Sequence, residues 1–271
     1  MSQQCCPATP EERDRNLATA IRTRADKLAF SGNLALSATL LTAAHGLIGA
    51  SGGYGNDAGL WVYNSDGILA ILSDDAVGAE ESFRKALLVA TQVFGTHSVE
   101  AATCQNNLAQ ALAAQAKYEE SQTLFTTAIA TLEAIRPTIK DDDEHKAKLE
   151  HVDNVLADAN LEFGKMKEAR AAAALAQSAK LGSQWIDANR STLPVNECVA
   201  ANADGLVAHS PSWDGLFELI KSKGVPQAGV TVAFIEAPGP ALVRQPQRQR
   251  PPQRRVHGQP SADPAKPSSE S

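Results

Sequence analysis

The chain has 271 residues and a formal charge of −6, with 43% hydrophobic, 21% charged and only 5% aromatic residues. That length leaves room for a buried core, and Cys5, Cys6, Cys104 and Cys198 are too few for a disulfide framework and show no metal-ligand spacing, which fits a reducing compartment. No proline falls between Glu11 and Arg136, which argues against a sheet protein built from short proline-punctuated strands and predicts an all-α fold.

At the N-terminus Glu11, Glu12 and Asp14 mix with Arg13 and Arg15, and no apolar run precedes them. This fits neither a secretory signal nor an acid-poor transit peptide, so residues 1–14 are expected to be disordered and the protein cytoplasmic. Leu28–Asn56 carries no Asp, Glu, Lys or Arg, enough length to cross a bilayer and so to anchor the chain in a membrane. Against a span stand Ser31, Gly32, Asn33, Ser37, Thr39, Thr42 and His45, a glycine-rich end at 49–55, and the lack of an aromatic belt; a buried helix is preferred. Cys5–Cys6 has no recognisable lipidation context around it.

The same stretch opens an internal repeat. Gly32–Ala44 returns 42 residues later as Asp74–Ala86 and after a further 42 as Ala116–Ala128; a fourth copy, Gly164–Ala176, follows after 48, the extra residues falling in the acidic loop around Asp141–Asp143. Ser37, Ala79, Ser121 and Ala169 form one small-residue column, and Ala44, Ala86, Ala128 and Ala176 a second. Leu41, Phe83, Phe125 and Ala173 stand between them on the same helical face. On a preceding helix, Ala25, Gly67, Ala109 and Ala157 make a third column. Each unit therefore reads as helix, short turn, helix. Because one pair cannot cover its own apolar face, the copies are expected to stack into an α-solenoid of about four repeats over residues 15–182.

Asn106-Asn107-Leu108-Ala109, followed by Ala116-Lys117-Tyr118-Glu119-Glu120-Ser121, Phe125 and Ala128, resembles a tetratricopeptide repeat. The 42-residue step and the loop Phe94-Gly95-Thr96-His97-Ser98 resemble the kinesin-light-chain type of array. Asp66, which stands where Leu108 and Leu156 sit, departs from that pattern. The heptad coiled coil expected before the repeats of a motor light chain is also absent from this sequence. The resemblance implies that first helices line a concave surface on which polar side chains hold an extended peptide.

Asn64, Asn106 and Asn154 occupy equivalent places on those first helices, with Arg22 as the fourth member. An amide offers donor and acceptor together and so matches a peptide backbone; equally, such residues can hydrogen-bond neighbouring helices and hold the stack together. Gln110 and Asp158 would extend the surface, Asp158 favouring a basic ligand, and Trp61 would touch the groove edge or simply pack. The run Asp141-Asp142-Asp143-Glu144-His145 reads as the acidic start of a helix rather than a metal site, since consecutive side chains point apart. No nucleotide, zinc or redox motif occurs, and neither catalysis nor a cofactor is expected.

Residues 183–237 are expected to cap the open end of the array. Ser212–Lys223 reads as a capped helix with Trp213, Leu216, Phe217 and Ile220 on one face, and Val230–Ile235 has strand composition but no evident partner. Trp185 and Trp213 are read as capping hydrophobes. Residues 238–271 hold eight of the fourteen prolines and six basic against two acidic residues, so the chain's −6 becomes −10 over 1–237. This basic Pro/Gln/Arg-rich tail is expected to be disordered, either a solubilising extension or a hook for RNA, lipid or another anionic partner. The reading for the whole is a non-catalytic scaffold or adaptor that takes a peptide segment of a partner protein. Anionic-surface binding through the tail and a membrane-anchored array stand as alternatives.

Overall fold

The computed structural model describes residues 8–142 and 145–237. Asp143 and Glu144 of the acidic run read as a helix start, residues 1–7 of the segment expected to be disordered, and the tail over 238–271 lie outside the described residues. Six helices form three antiparallel hairpins: α1 (Pro10–Phe30) with α2 (Leu34–Ala50), α3 (Asp57–Leu72) with α4 (Ala76–Val93), and α5 (Val99–Ala114) with α6 (Tyr118–Ile135). A long helix, α7 (Lys146–Asn189), packs on the third hairpin and continues into a small α/β cap. The chain is an α-solenoid. Successive first helices pack on one another, α1 on α3, α3 on α5 and α5 on α7, and make the inner wall; the second helices make no comparable contact with each other.

Local chemistry sets these boundaries. Thr9 and Glu12 form a reciprocal capping box, so α1 begins at Pro10, earlier than the boundary expected at residue 15. Asn33, Asn56, Asp75 and Ser98 each accept a bond from the backbone N–H three residues on, which satisfies an otherwise orphaned donor. The three hairpin turns share one geometry. Gly32, Asp74 and Ala116, spaced by the repeat, adopt φ of 85°, 58° and 58°. The next residue's N–H then reaches back to the carbonyls of Leu28, Ala70 and Leu112 at 2.8, 2.9 and 2.9 Å.

The columns are where the helices meet. Ala44, Ala86 and Ala128 are fully buried, as are Ala25, Ala79, Ala109 and Ser121, while Leu41, Phe83 and Phe125 fill the space between them. The Ser121 hydroxyl donates to the Ala109 carbonyl on the partner helix at 2.8 Å, which requires close backbone approach. At Gly67 the approach is tighter still: a Cβ there would lie 2.4 Å from the Phe83 ring. The odd residue Asp66 is also explained. His45 bonds Asp66 through Nε2 and Tyr54 through Nδ1, both at 2.7 Å. One repeat later, Leu87 and Leu108 meet at the corresponding positions in an apolar cluster.

The fourth unit differs in form. Its first half packs as a first helix should, burying Val152, Ala159 and Met166, the last against Ala109 and Phe125. The turn expected at Gly164 does not form, and Ala157, Ala169, Ala173 and Ala176 are exposed along one uninterrupted helix. Leu41, Phe83 and Phe125 give each earlier hairpin a large side chain to bury. In the fourth copy that place belongs to Ala173, so folding back would remove little apolar surface from water.

The capping segment is not helical throughout. β1 (Glu197–Asn202), β2 (Gly205–Ser210) and β3 (Thr231–Ile235) form an antiparallel sheet in the order β2-β1-β3, with α8 (Trp213–Ser222) between β2 and β3. The strand read at 230–235 therefore has a partner, β1. On one face Val199, Ala201 and Ile235 pack with Ile186 and half-buried Trp185 at the end of α7. On the other face Cys198, Ala200 and Ala208 pack with Leu216 and Ile220 of α8. Helix and sheet come close at Gly182, where a Cβ would lie 2.2 Å from the Ala201 carbonyl oxygen. The long uncharged stretch 28–56 is broken by the first turn, and α2 buries Ser37, Leu41, Ala44 and Ile48. Among the described residues no helix is long and apolar enough to cross a membrane.

Gly67→Ala is expected to lower stability by about 1–2 kcal/mol in urea unfolding despite alanine's better helix propensity, because the buried Phe83 ring must move; adding Phe83→Leu should recover part of the loss. Ala116→Gly, at a left-handed position, should raise stability by about 1 kcal/mol in the same measurement. An acid titration checks a third feature. Glu80 bonds Lys117 and Gln115 across the second and third hairpins at 2.7 and 2.8 Å, and Arg84 of its own helix. Lys117 first, then Gln115 and Arg84, hold its carboxyl at about 2, against an ordinary 4.5. Stability from Glu80 is thus fully present above pH 4.5 and lost as the pH falls toward 2, and Glu80→Gln should flatten the melting-temperature profile in that window.

Candidate functional site

The inner wall carries a hollow of about 250 Å³ lined by Phe30 of α1, Ile68, Ile71 and Leu72 of α3, Phe83 of α4, Asn107 and Gln110 of α5, and Asp158 of α7. A second hollow of about 260 Å³ shares Gln110 and continues along α5 and α7 past Ala114, Glu162 and Met166. Together they run along every first helix of the array. The repeat explains the lining. Phe30, Leu72, Ala114 and Glu162 are equivalent positions, as are Asp26, Ile68, Gln110 and Asp158. The first column changes from apolar to acidic toward α7; the second begins with Asp26, which pairs with Arg22 at 2.7 Å, and runs through Ile68 and Gln110 to Asp158. At the apolar end Phe30 is 69% and Leu72 40% exposed, large values for such side chains in a helical array.

At the other end lies an amide and carboxylate network. Asn106 and Gln110 both donate to Asp158 Oδ2, at 2.8 and 3.0 Å, joining α5 to α7. Asn64 Oδ1 accepts from Asn107 at 2.8 Å, joining α3 to α5. Asn64 and Asn106 are buried, so their side chains face neighbouring helices, and the Asn106 oxygen has no partner among the described residues. Asn154 is exposed on α7 and stands apart from this network. Trp61 packs half-buried against Leu60, Ala86, Val89, Ala90, Ala101 and Cys104, away from the hollow. The structure thus brings together Asn64, Asn106, Gln110 and Asp158, with Gln110 and Asp158 on the hollow's surface. Sequence reasoning passed over Asn107 and the apolar column of Phe30 and Leu72. Their 42-residue spacing was the available signal, obscured because the next members are Ala114 and Glu162.

Other places offer less. A larger hollow of about 560 Å³ lies along α6, lined by His97, Thr126, Thr127, Thr131 and Thr138. There the hydroxyls of Thr126, Thr127 and Thr138 donate to carbonyls of their own turns and do not converge on the space. The Asp66–His45–Tyr54 chain has the order of a proton relay, but burial, helped by Tyr63 and Asp66, holds the Tyr54 hydroxyl above its ordinary pKa and so protonated. It ties the 51–56 loop to the array. Burial likewise pushes the Cys104 thiol up to about 12. Among the described residues no cluster of three or more His, Cys, Asp or Glu could hold a metal ion, and Asp142 instead accepts from the His145 backbone and ring.

Residues 61–134, essentially the second and third hairpins, match the family model described as tetratricopeptide repeat. Those two hairpins are similar to tetratricopeptide repeats. No curated protein matches the chain. Tetratricopeptide repeats generally mediate protein–protein interaction, which fits an inner wall offering both apolar and polar surface.

Asn106→Ala removes a nearly buried bond between α5 and α7 and is expected to lower the unfolding free energy by about 1–2 kcal/mol in urea titration, with Asp158 still held by Gln110.

Proposed function

We propose that this protein is a non-catalytic scaffold or adaptor whose inner wall holds an extended segment of a partner protein. A bulky apolar side chain of that segment enters between Phe30, Ile68, Ile71 and Leu72, and a basic side chain meets Asp158. The observation that carries this reading is the hollow that reaches from Phe30 of α1 past α3 and α5 to Asp158 of α7, apolar at α1 and α3 and carboxylate-bearing at α7. Exposed apolar surface favours an aliphatic or aromatic anchor. Asp158 uses one oxygen, Oδ2, for both of its amide bonds, which leaves Oδ1 for a cation. Asn64 and Asn106 serve this groove by holding the helices in register, and Gln110, Asn107 and the exposed Asn154 offer amides to the peptide backbone. The 42-residue step and the negative charge of residues 1–237 support an array of the kinesin-light-chain type that selects a basic partner.

An immobilised peptide array probed with the full chain tests this. Peptides with a large apolar residue close to Arg or Lys should be retained. Asp158→Lys should shift retention from basic to acidic peptides, and Phe30→Ser should lower it about tenfold overall, equivalent to ~1.4 kcal/mol. Retention unchanged by both substitutions would remove the inner wall as the binding surface.

A further inference from the structure

The two hollows of the inner wall are one construction built twice. Ile68, Ile71, Leu72 and Phe83 border the first, and the residues 42 places later, Gln110, Ala113, Ala114 and Phe125, border the second. The step that carries one hairpin onto the next therefore carries one hollow onto the next. Their volumes agree, at about 250 and 260 Å³. Each is floored by a buried phenylalanine of a second helix, Phe83 or Phe125.

The walls differ in chemistry. In the second hollow alanines stand in for Ile71 and Leu72, and the nearly buried Met166 packs beside Phe125. The charged residues lining the pair are Asp158 in the first and Glu162 and Lys165 in the second. Glu162 pairs with Lys165 at 2.6 Å, so the second hollow presents no unopposed charge and suits an apolar side chain. Gln110 borders both hollows and donates to Asp158 at 3.0 Å, which places an amide and a carboxylate between them.

Spacing selects the ligand's backbone. Helices packed side by side are about 8–10 Å apart, which sets the distance between hollows one step apart. A polyproline II chain advances about 9 Å in each turn of three residues, so its side chains at i and i+3 share a face at that interval. A β-strand returns to the same face after two residues, about 7 Å, and next after four, about 13 Å, and matches neither time. Polyproline II has no internal hydrogen bonds, so its backbone N–H groups are free to meet the Gln110 carbonyl oxygen, the amide nitrogen being engaged by Asp158.

Resting on the inner-wall reading above, we infer that the partner's segment binds in the polyproline II conformation with two apolar anchors three residues apart, one in the hollow of Phe83 and one in the hollow of Phe125, and a basic residue between them at Asp158. A segment preformed in this way loses little conformational freedom on binding.

Fluorescence anisotropy with the full chain and dye-labelled synthetic peptides tests the inference. Each peptide carries a Leu followed by Arg in a proline and alanine background, with a second Leu two, three or four places beyond the first, or none. Identical anchors make the direction of the chain immaterial. The peptide with three-place spacing should bind about tenfold more tightly than the one with a single Leu, and the other two spacings should give no such gain. Ala114→Phe, at an exposed position, fills the second hollow; it should leave the helical circular-dichroism signal unchanged and erase the gain. A gain that survives Ala114→Phe would overturn the inference. Binding that falls with Phe30→Ser but is indifferent to where the second Leu stands, or prefers four places as a helical ligand would, overturns it too while leaving the inner wall as the binding surface. Binding untouched by Phe30→Ser and Ala114→Phe alike would remove both.

Discussion

Every part of this array depends on two helices coming close enough for a side chain of one to touch the backbone of the next. Alanine, glycine and serine at the crossing points permit that distance, and one large residue between them supplies most of the burial. The Ser121 hydroxyl on the Ala109 carbonyl and the Phe83 ring against Gly67 are two results of the same constraint. Dense packing of this kind leaves little room to adjust, so the angle between hairpins is set by the smallest residue at each crossing. The inner wall is a consequence. Because the first helices lie against one another, residues at the same place in successive repeats stand side by side along it.

That regularity is why much of the fold could be read directly from the amino acids. The turns at Gly32, Asp74 and Ala116, the buried columns and the order of the hairpins all follow from a step of 42. Gly164 shows the limit. Its local sequence matches a turn, yet a turn forms only when the returning helix brings something to bury, and Ala173 does not. Helix propensity in the alanine-rich segment then carries α7 straight on. The cap was less legible for a related reason. β1 is buried on both faces and reads as a short apolar run of small residues, with none of the alternation by which a half-buried strand announces itself. Only β3, rich in branched and aromatic residues, had strand composition, and without β1 it had no partner.

The site divides the same way. Gln110 and Asp158 were read from their places four residues beyond Asn106 and Asn154, and both line the hollow. The asparagines at 64 and 106 recur as well, but their side chains turn sideways into adjacent helices. Recurrence alone does not distinguish a ligand contact from a tie between repeats, since both are placed by the same periodicity. Polarity at a half-buried crossing, such as His45 with Asp66 where Leu87 and Leu108 meet one repeat later, likewise reflects local pairing. A polar pair there costs desolvation that two leucines would not, and in return it holds the glycine-rich loop through Tyr54.

Helix α7 belongs to two assemblies at once. Near its start it contributes Asp158 to the inner wall, and near its end Gly182 presses on the sheet. Between these points the rod is unbroken, so at 1.5 Å per residue they are held roughly 36 Å apart. No hinge separates them. A partner seated at Asp158 would therefore find the cap at a set distance and bearing, as a gauge block fixes a gap, and a long enough partner could be measured by touching both.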